Sequence, residues 1–146
     1  MQIEQQREKK QRSENDVKKD YLYQYRKALQ KEKAIEDEIY QLRLDKVAPS
    51  LIQDGMPHGS GGSDLSGYAA KMDELFRELK VQMEKKIAVR LEISRKIEEM
   101  TDETESLLLR YKYIQGLSFE EISVKLGYTY RHTTRLHGKA LLNFKM

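Results

Sequence analysis

Apolar residues along this chain recur at helical spacing, and no long β-branched run suggests a sheet. Leu22, Tyr25, Leu29, Ile35, Ile39 and Leu42 follow one another at steps of three, four or their combinations, which predicts a helix over 20–47 with Asp20 as its N-cap. Pro49 biases Ala48 away from helical geometry, so this helix should end near Val47. Met72, Leu75, Phe76, Leu79, Met83, Ile87, Leu91, Ile93 and Ile97 supply the broad stripe of a second helix over 68–100. Between them, 48–67 contains both prolines and five of the eight glycines, the composition of a flexible connector. Residues 1–19 are polar, mix both charge signs and have no apolar period, so they are expected to be disordered or a frayed helix start. The two helices should fold back as a long antiparallel hairpin. Glu36 interrupts the heptad shared by Leu22 and Leu29, so pairing is expected without a regular coiled coil. One thin hairpin cannot bury two wide stripes, which predicts a homodimer or higher oligomer through the long helices.

The predicted helices shorten over 101–146. Thr101 or Asp102 can cap a third helix, Asp102 with Glu105 three residues on forming a capping-box-like pair; its apolar face is expected at Leu107, Leu108, Tyr111 and Ile114, and Gly116 stops it. Ser118 and Glu121 form a capping box for a short helix with Phe119, Ile122 and Leu126 on its inner face. Gly127 supplies a tight turn and Thr129 caps a last helix that turns Thr133, Leu136 and Ala140 inward. The predicted fold is therefore all-α: a helical hairpin, 20–100, followed by a trihelical helix-turn-helix domain, 101–146.

Charge gives this last segment a direction. From Leu107 to Met146 there are seven basic residues and two acidic ones, net +5, whereas the rest of the chain sums to about −2. A basic module on a near-neutral body is the footprint of nucleic-acid binding. The second helix of such a pair enters the major groove, where Arg131 and Arg135, one turn apart, reach guanine or phosphate. Tyr130 and Thr134 are the other base-reading candidates, for a thymine methyl, a base edge or a phosphate. Lys125 and Lys139 suit the phosphate backbone, as do the helix starts at Ser118 and Thr129. His132 and His137 are expected near phosphate or solvent.

Other classes find less support. With no cysteine there is no disulfide or thiolate metal site, and the three histidines show no metal spacing and no nucleophile–base pair. An enzyme is not expected, nor a cofactor. The glycines of 48–67 lack the Lys-Ser/Thr of a phosphate-binding loop. Neither a secretory signal nor an apolar membrane span is present.

The run Tyr113-(x)2-Gly116-(x)-Ser118-(x)2-Glu121-Ile122-(x)3-Leu126-Gly127-(x)-Thr129, followed by Lys139-Ala140-Leu141, resembles region 4 of sigma-70-type factors, which binds the promoter −35 element and the RNA polymerase flap. The whole layout, with Gly55-Met56-Pro57 in the middle loop, resembles the ArpU/RinA-like regulators of phages and prophages of Gram-positive bacteria. That resemblance implies a regulator of late genes acting on double-stranded DNA in the bacterial host cytoplasm, with RNA polymerase as a further candidate partner. It places base contacts on Tyr130, Arg131, Thr134 and Arg135. The chain departs from the sigma pattern at Thr133, where Val or Ile is usual, and at Tyr130 and His132, where charged side chains are commoner. No counterpart of the sigma regions that melt DNA occurs. A small terminase-like packaging subunit and a helical interaction protein docking on RNA polymerase are the alternatives.

Overall fold

A computed structural model describes residues 1–52 and 62–146, with side chains outside 48–64. Every regular element among them is helical: α1 (Gln2–Ile52), α2 (Gly62–Glu98), α3 (Glu103–Leu109) with a π-helical continuation over Arg110–Ile114, α4 (Phe119–Leu126) and α5 (Tyr130–Asn143). No described helix is long and apolar enough to cross a membrane.

The long helices extend further than their apolar stripes. α1 starts at Gln2, so Asp20 lies inside it rather than at its cap. Residues 2–14 are exposed along their whole length, and their Gln, Glu, Lys and Arg content sustains them as an extension of a helix nucleated downstream. At the other end α1 passes Pro49 to Ile52. A proline's φ is itself helical and its loss of one donor penalises a helix without always ending it. α2 begins at Gly62, so 48–52 and 62–67 of the expected connector are helical, and residues 53–61 lie outside the described residues.

The chain divides into two compact units. One comprises Met1–Lys27 with Ile87–Met146. Its core joins Leu22 of α1 and Ile93 and Ile97 of α2 to Leu108, Leu109, Tyr113, Ile122, Ala140, Leu141 and Phe144, each at most 1% exposed. Burial of such side chains stabilises by about 1.5–3 kcal/mol apiece before conformational entropy is subtracted. Lys18 reaches across this unit to cap α5, donating to the carbonyls of Leu141 at 2.7 Å and Leu142 at 3.2 Å.

The other unit, Ala28–Lys86, is leaner. Ile39, Met72 and Leu75 form its buried cluster, flanked by half-buried Ile35, Leu42, Tyr68 and Leu79. Polar contacts supplement them: Lys86 Nζ lies 2.7 Å from a Glu32 carboxylate oxygen, and Gln82 donates to the Ala28 carbonyl at 3.3 Å.

Candidate nucleic-acid interface

Local chemistry sets the geometry of the C-terminal helices. Asp102 accepts from the Glu105 amide at 2.9 Å and starts α3. The face buried by α3 differs from the predicted one: Leu108, Leu109 and Tyr113 are enclosed, while Leu107 is 37% exposed. The buried face runs through Glu105, Leu109 and Tyr113 at steps of four, with Leu108 beside it, so it is already rotated from the predicted face within α3, and the π turn over Arg110–Ile114 follows it. Gly116 then turns with φ +74°, and a Cβ there would collide with the Arg26 guanidinium.

At α4 the capping box is complete: Ser118 Oγ accepts from the Glu121 amide at 3.2 Å, and the Glu121 carboxylate accepts from the Ser118 amide at 2.8 Å. Gly127, at φ +69°, ends the helix in a left-handed conformation that a residue with Cβ adopts only under strain. Two residues later Thr129 Oγ1 accepts from the His132 amide at 3.1 Å and α5 begins. Each such cap contributes about 1 kcal/mol.

A polar joint holds α4 against α5. Ser123 Oγ, whose one proton has Phe119 O at 2.7 Å and Thr133 Oγ1 at 2.9 Å as acceptors, joins the helices by donating to Thr133 Oγ1, whose own proton goes to Thr129 O at 3.0 Å. Thr133 is fully buried, so its hydroxyl needs these partners, and Ser123 supplies what an aliphatic residue at 133 would not require.

The inner side of α5 holds Thr133, His137, Ala140 and Leu141. His137 was expected near phosphate or solvent and lies instead in the core, 7% exposed. Its Nε2 is 2.7 Å from the Tyr113 hydroxyl, and Phe119 meets its ring edge-on at 5.0 Å. Helical phase explains the placement: position 137 is four residues from both Thr133 and Leu141, on the buried side. Burial, aided by the cations of Lys19 and Lys112, holds its pKa down to about 4, so the ring is neutral at pH 7. Burial also pushes the Tyr113 hydroxyl upward.

The outer side carries Tyr130, Arg131, His132, Arg135 and Lys139, all exposed, with Thr134 half-buried at the edge. Tyr130 leans edge-on against Phe119 at 6.4 Å, and Tyr128 meets His132 edge-on at 4.6 Å. Thr134 spends its proton on the Arg131 carbonyl at 3.0 Å, leaving its methyl and lone pairs available. Of the seven basic residues in 107–146, Arg110 is paired with Glu98 at 3.0 Å. None of the other six has a carboxylate partner among the described residues.

The remaining predicted contacts sit differently. Lys125 is exposed on α4, its ammonium 5.6 Å from the Tyr111 ring centre. Ser118 is half-buried and its amide already bonds the Glu121 carboxylate, so a phosphate there would meet an engaged donor beside a negative charge. Two residues escaped the sequence reading. Lys112, 4.3 Å over the Phe119 ring, signalled itself only as one of the basic residues counted. Gly138, with open space where a Cβ would stand, lies on the outer half of α5 between Arg131, Arg135 and Leu142, and its signal was a glycine in a helix interior, a costly choice without a reason in packing.

Among the described residues no cluster of three or more His, Cys, Asp or Glu could hold a metal ion. No protein family, curated protein or solved structure matches the chain.

Proposed function

We propose that residues 101–146 form a helix-turn-helix that binds double-stranded DNA, with α5 as the recognition helix, and that the chain regulates transcription. α4, the turn at Gly127 and α5 are the two helices and corner of this motif, and α3 braces them. The observation that carries the reading is the outer face of α5: Arg131, Arg135 and Lys139 stand exposed and without acidic partners among the described residues, on a helix whose opposite side is fixed in a packed core. Cations left unneutralised on a rigid, protruding helix are suited to an anionic duplex.

On this reading Arg131 and Arg135 contact guanine edges, and Tyr130 and Thr134 contact neighbouring bases. Lys125, His132, Lys139 and the α5 start at Thr129 contact phosphate, whereas Ser118 serves the capping box. Gly138 lets the helix approach the groove wall closely. The long helices, taken as the arms of an antiparallel hairpin, agree with the contacts of Glu32 with Lys86 and Glu38 with Lys71. The resemblance to ArpU/RinA-like regulators favours phage or prophage genes and RNA polymerase as a second partner.

The test is the salt dependence of duplex binding by the full chain. Lys139→Ala should weaken binding about equally on all sequences and reduce the salt slope by about one ion, whereas Arg131→Ala should weaken binding selectively on the preferred sequence. Binding without sequence preference by the wild type would reject base readout by α5.

A further inference from the structure

α2 displays an apolar stripe that its own unit leaves uncovered. Leu65, Ala69, Phe76 and Met83 follow at steps of four, seven and seven, so they lie within an arc of about 40° around the helix. Leu65 is 57% exposed, Phe76 45% and Met83 40%, and the Arg43 guanidinium stands 5.9 Å from the Phe76 ring centre. In the same unit the buried apolar side chains among the described residues are Ala28, Ile39, Met72 and Leu75, a small core for two long helices.

The charges beside the stripe say what covers it. Asp73 and Lys80 flank it on one edge, seven residues apart on either side of Phe76, and neither has an ion-pair partner among the described residues. This pattern is self-complementary under a two-fold axis. If a second α2 packs antiparallel with the axis between Phe76 and Arg77, Asp73 of each copy falls opposite Lys80 of the other. The two Phe76 rings then meet at the centre, and each Met83 falls over the small Ala69–Ala70 surface of the other copy. A parallel pairing in register would instead put this edge of the two copies on opposite sides of the interface, where Asp73 and Lys80 do not meet across it.

We infer that this face binds a second copy of the chain through an antiparallel α2–α2 contact centred on Phe76. It is independent of the DNA reading. Sedimentation equilibrium of the full chain at micromolar concentration should give twice the chain mass. Asp73→Lys and Lys80→Asp each create two like-charge pairs and should each weaken dimerisation roughly tenfold at low salt, while the double exchange restores it. Since the chain has no cysteine, single replacements report orientation. Phe76→Cys should cross-link chain to chain under oxidation, while Leu65→Cys, about 35 Å from its symmetry mate at 1.5 Å per residue, should not. A monomeric wild type, a dimer indifferent to the single reversals, or cross-linking through Leu65→Cys instead would each overturn the inference. Circular dichroism of every variant separates loss of pairing from loss of helix.

Discussion

The two units of this chain use helices in opposite ways. In the unit of Met1–Lys27 with Ile87–Met146, called the C-terminal unit for the helices that dominate it, the short elements α3 to α5 are specified residue by residue. Each start has its capping side chain, two of the stops have a left-handed glycine, and the apolar side chains share one core with Leu22, Ile93 and Ile97. In the Ala28–Lys86 unit, long stretches of α1 and α2 depend on propensity and a sparse seam, and several large apolar side chains face outward. Capping contacts are concentrated in α3 to α5, whereas in the Ala28–Lys86 unit Leu65, Phe76 and Met83 of α2 are left exposed. The comparison teaches that composition alone, evenly rich in helix formers, hides a division of labour that capping and burial reveal.

The largest effect that can test this contrast is a core truncation. Phe144→Ala should cost the C-terminal unit about 3–5 kcal/mol, from lost burial plus a cavity that a packed core closes poorly. Phe76→Ala, of the same chemistry but 45% exposed, should cost the isolated chain well under that, read by urea denaturation at concentrations below dimerisation. Equal losses would erase the distinction between the units.

Acid should separate the units next. His137 has its folded pKa lowered to about 4 from an ordinary 6.5, so the unfolded chain takes up its proton first. The stability associated with the neutral ring is fully present above pH 6.5 and lost as pH falls through about 4, an effect of the order of 3 kcal/mol. Urea midpoints of the C-terminal unit, followed by near-ultraviolet dichroism of its tyrosines, should fall over that window. His137→Gln should remove that histidine's share of the slope. A slope unchanged by the substitution would place the acid sensitivity elsewhere.

Smaller effects sharpen the picture of α4 and α5. Ser118→Ala dissolves the capping box and should lower stability by about 1 kcal/mol, with no specific loss of DNA sequence preference. Gly138→Ala should do two opposite things. With nothing near its Cβ it should stabilise α5 by roughly 0.5–1 kcal/mol, yet weaken duplex binding by crowding the groove. Stabilisation without weaker binding would show that Gly138 does not approach DNA.

How much was legible in the sequence follows from where the information is local. Ser118 with Glu121, Gly127 and Thr129 announced the ends of α4 and α5 because a cap is a contact between neighbours. The exposed face of Arg131, Arg135 and Lys139 followed from the same phase. The buried face of α3 differs from the predicted one because Leu107, Leu108 and Leu109 are consecutive and apolar, so periodicity alone does not choose among them, and the choice comes from packing that brings Tyr113 onto His137. His137 itself was taken for a surface residue since a histidine in a basic helix suggests solvent. Only its neutral, hydrogen-bonded partner in the core explains it. The ends of α1 were missed for another reason: apolar period marks where a helix packs, and α1 continues on propensity beyond that.

The central claim, that α5 reads DNA, is tested most directly by duplex selection from a random-sequence library, with the full chain and with the Arg131→Ala, Arg135→Ala double variant. The account predicts that the wild type enriches a defined sequence and that the variant, folded to the same helicity, loses roughly 1–3 kcal/mol per bidentate contact on it while retaining salt-sensitive background binding. A wild type that enriches nothing above that background, or a double variant that enriches the same sequence as strongly, would contradict it.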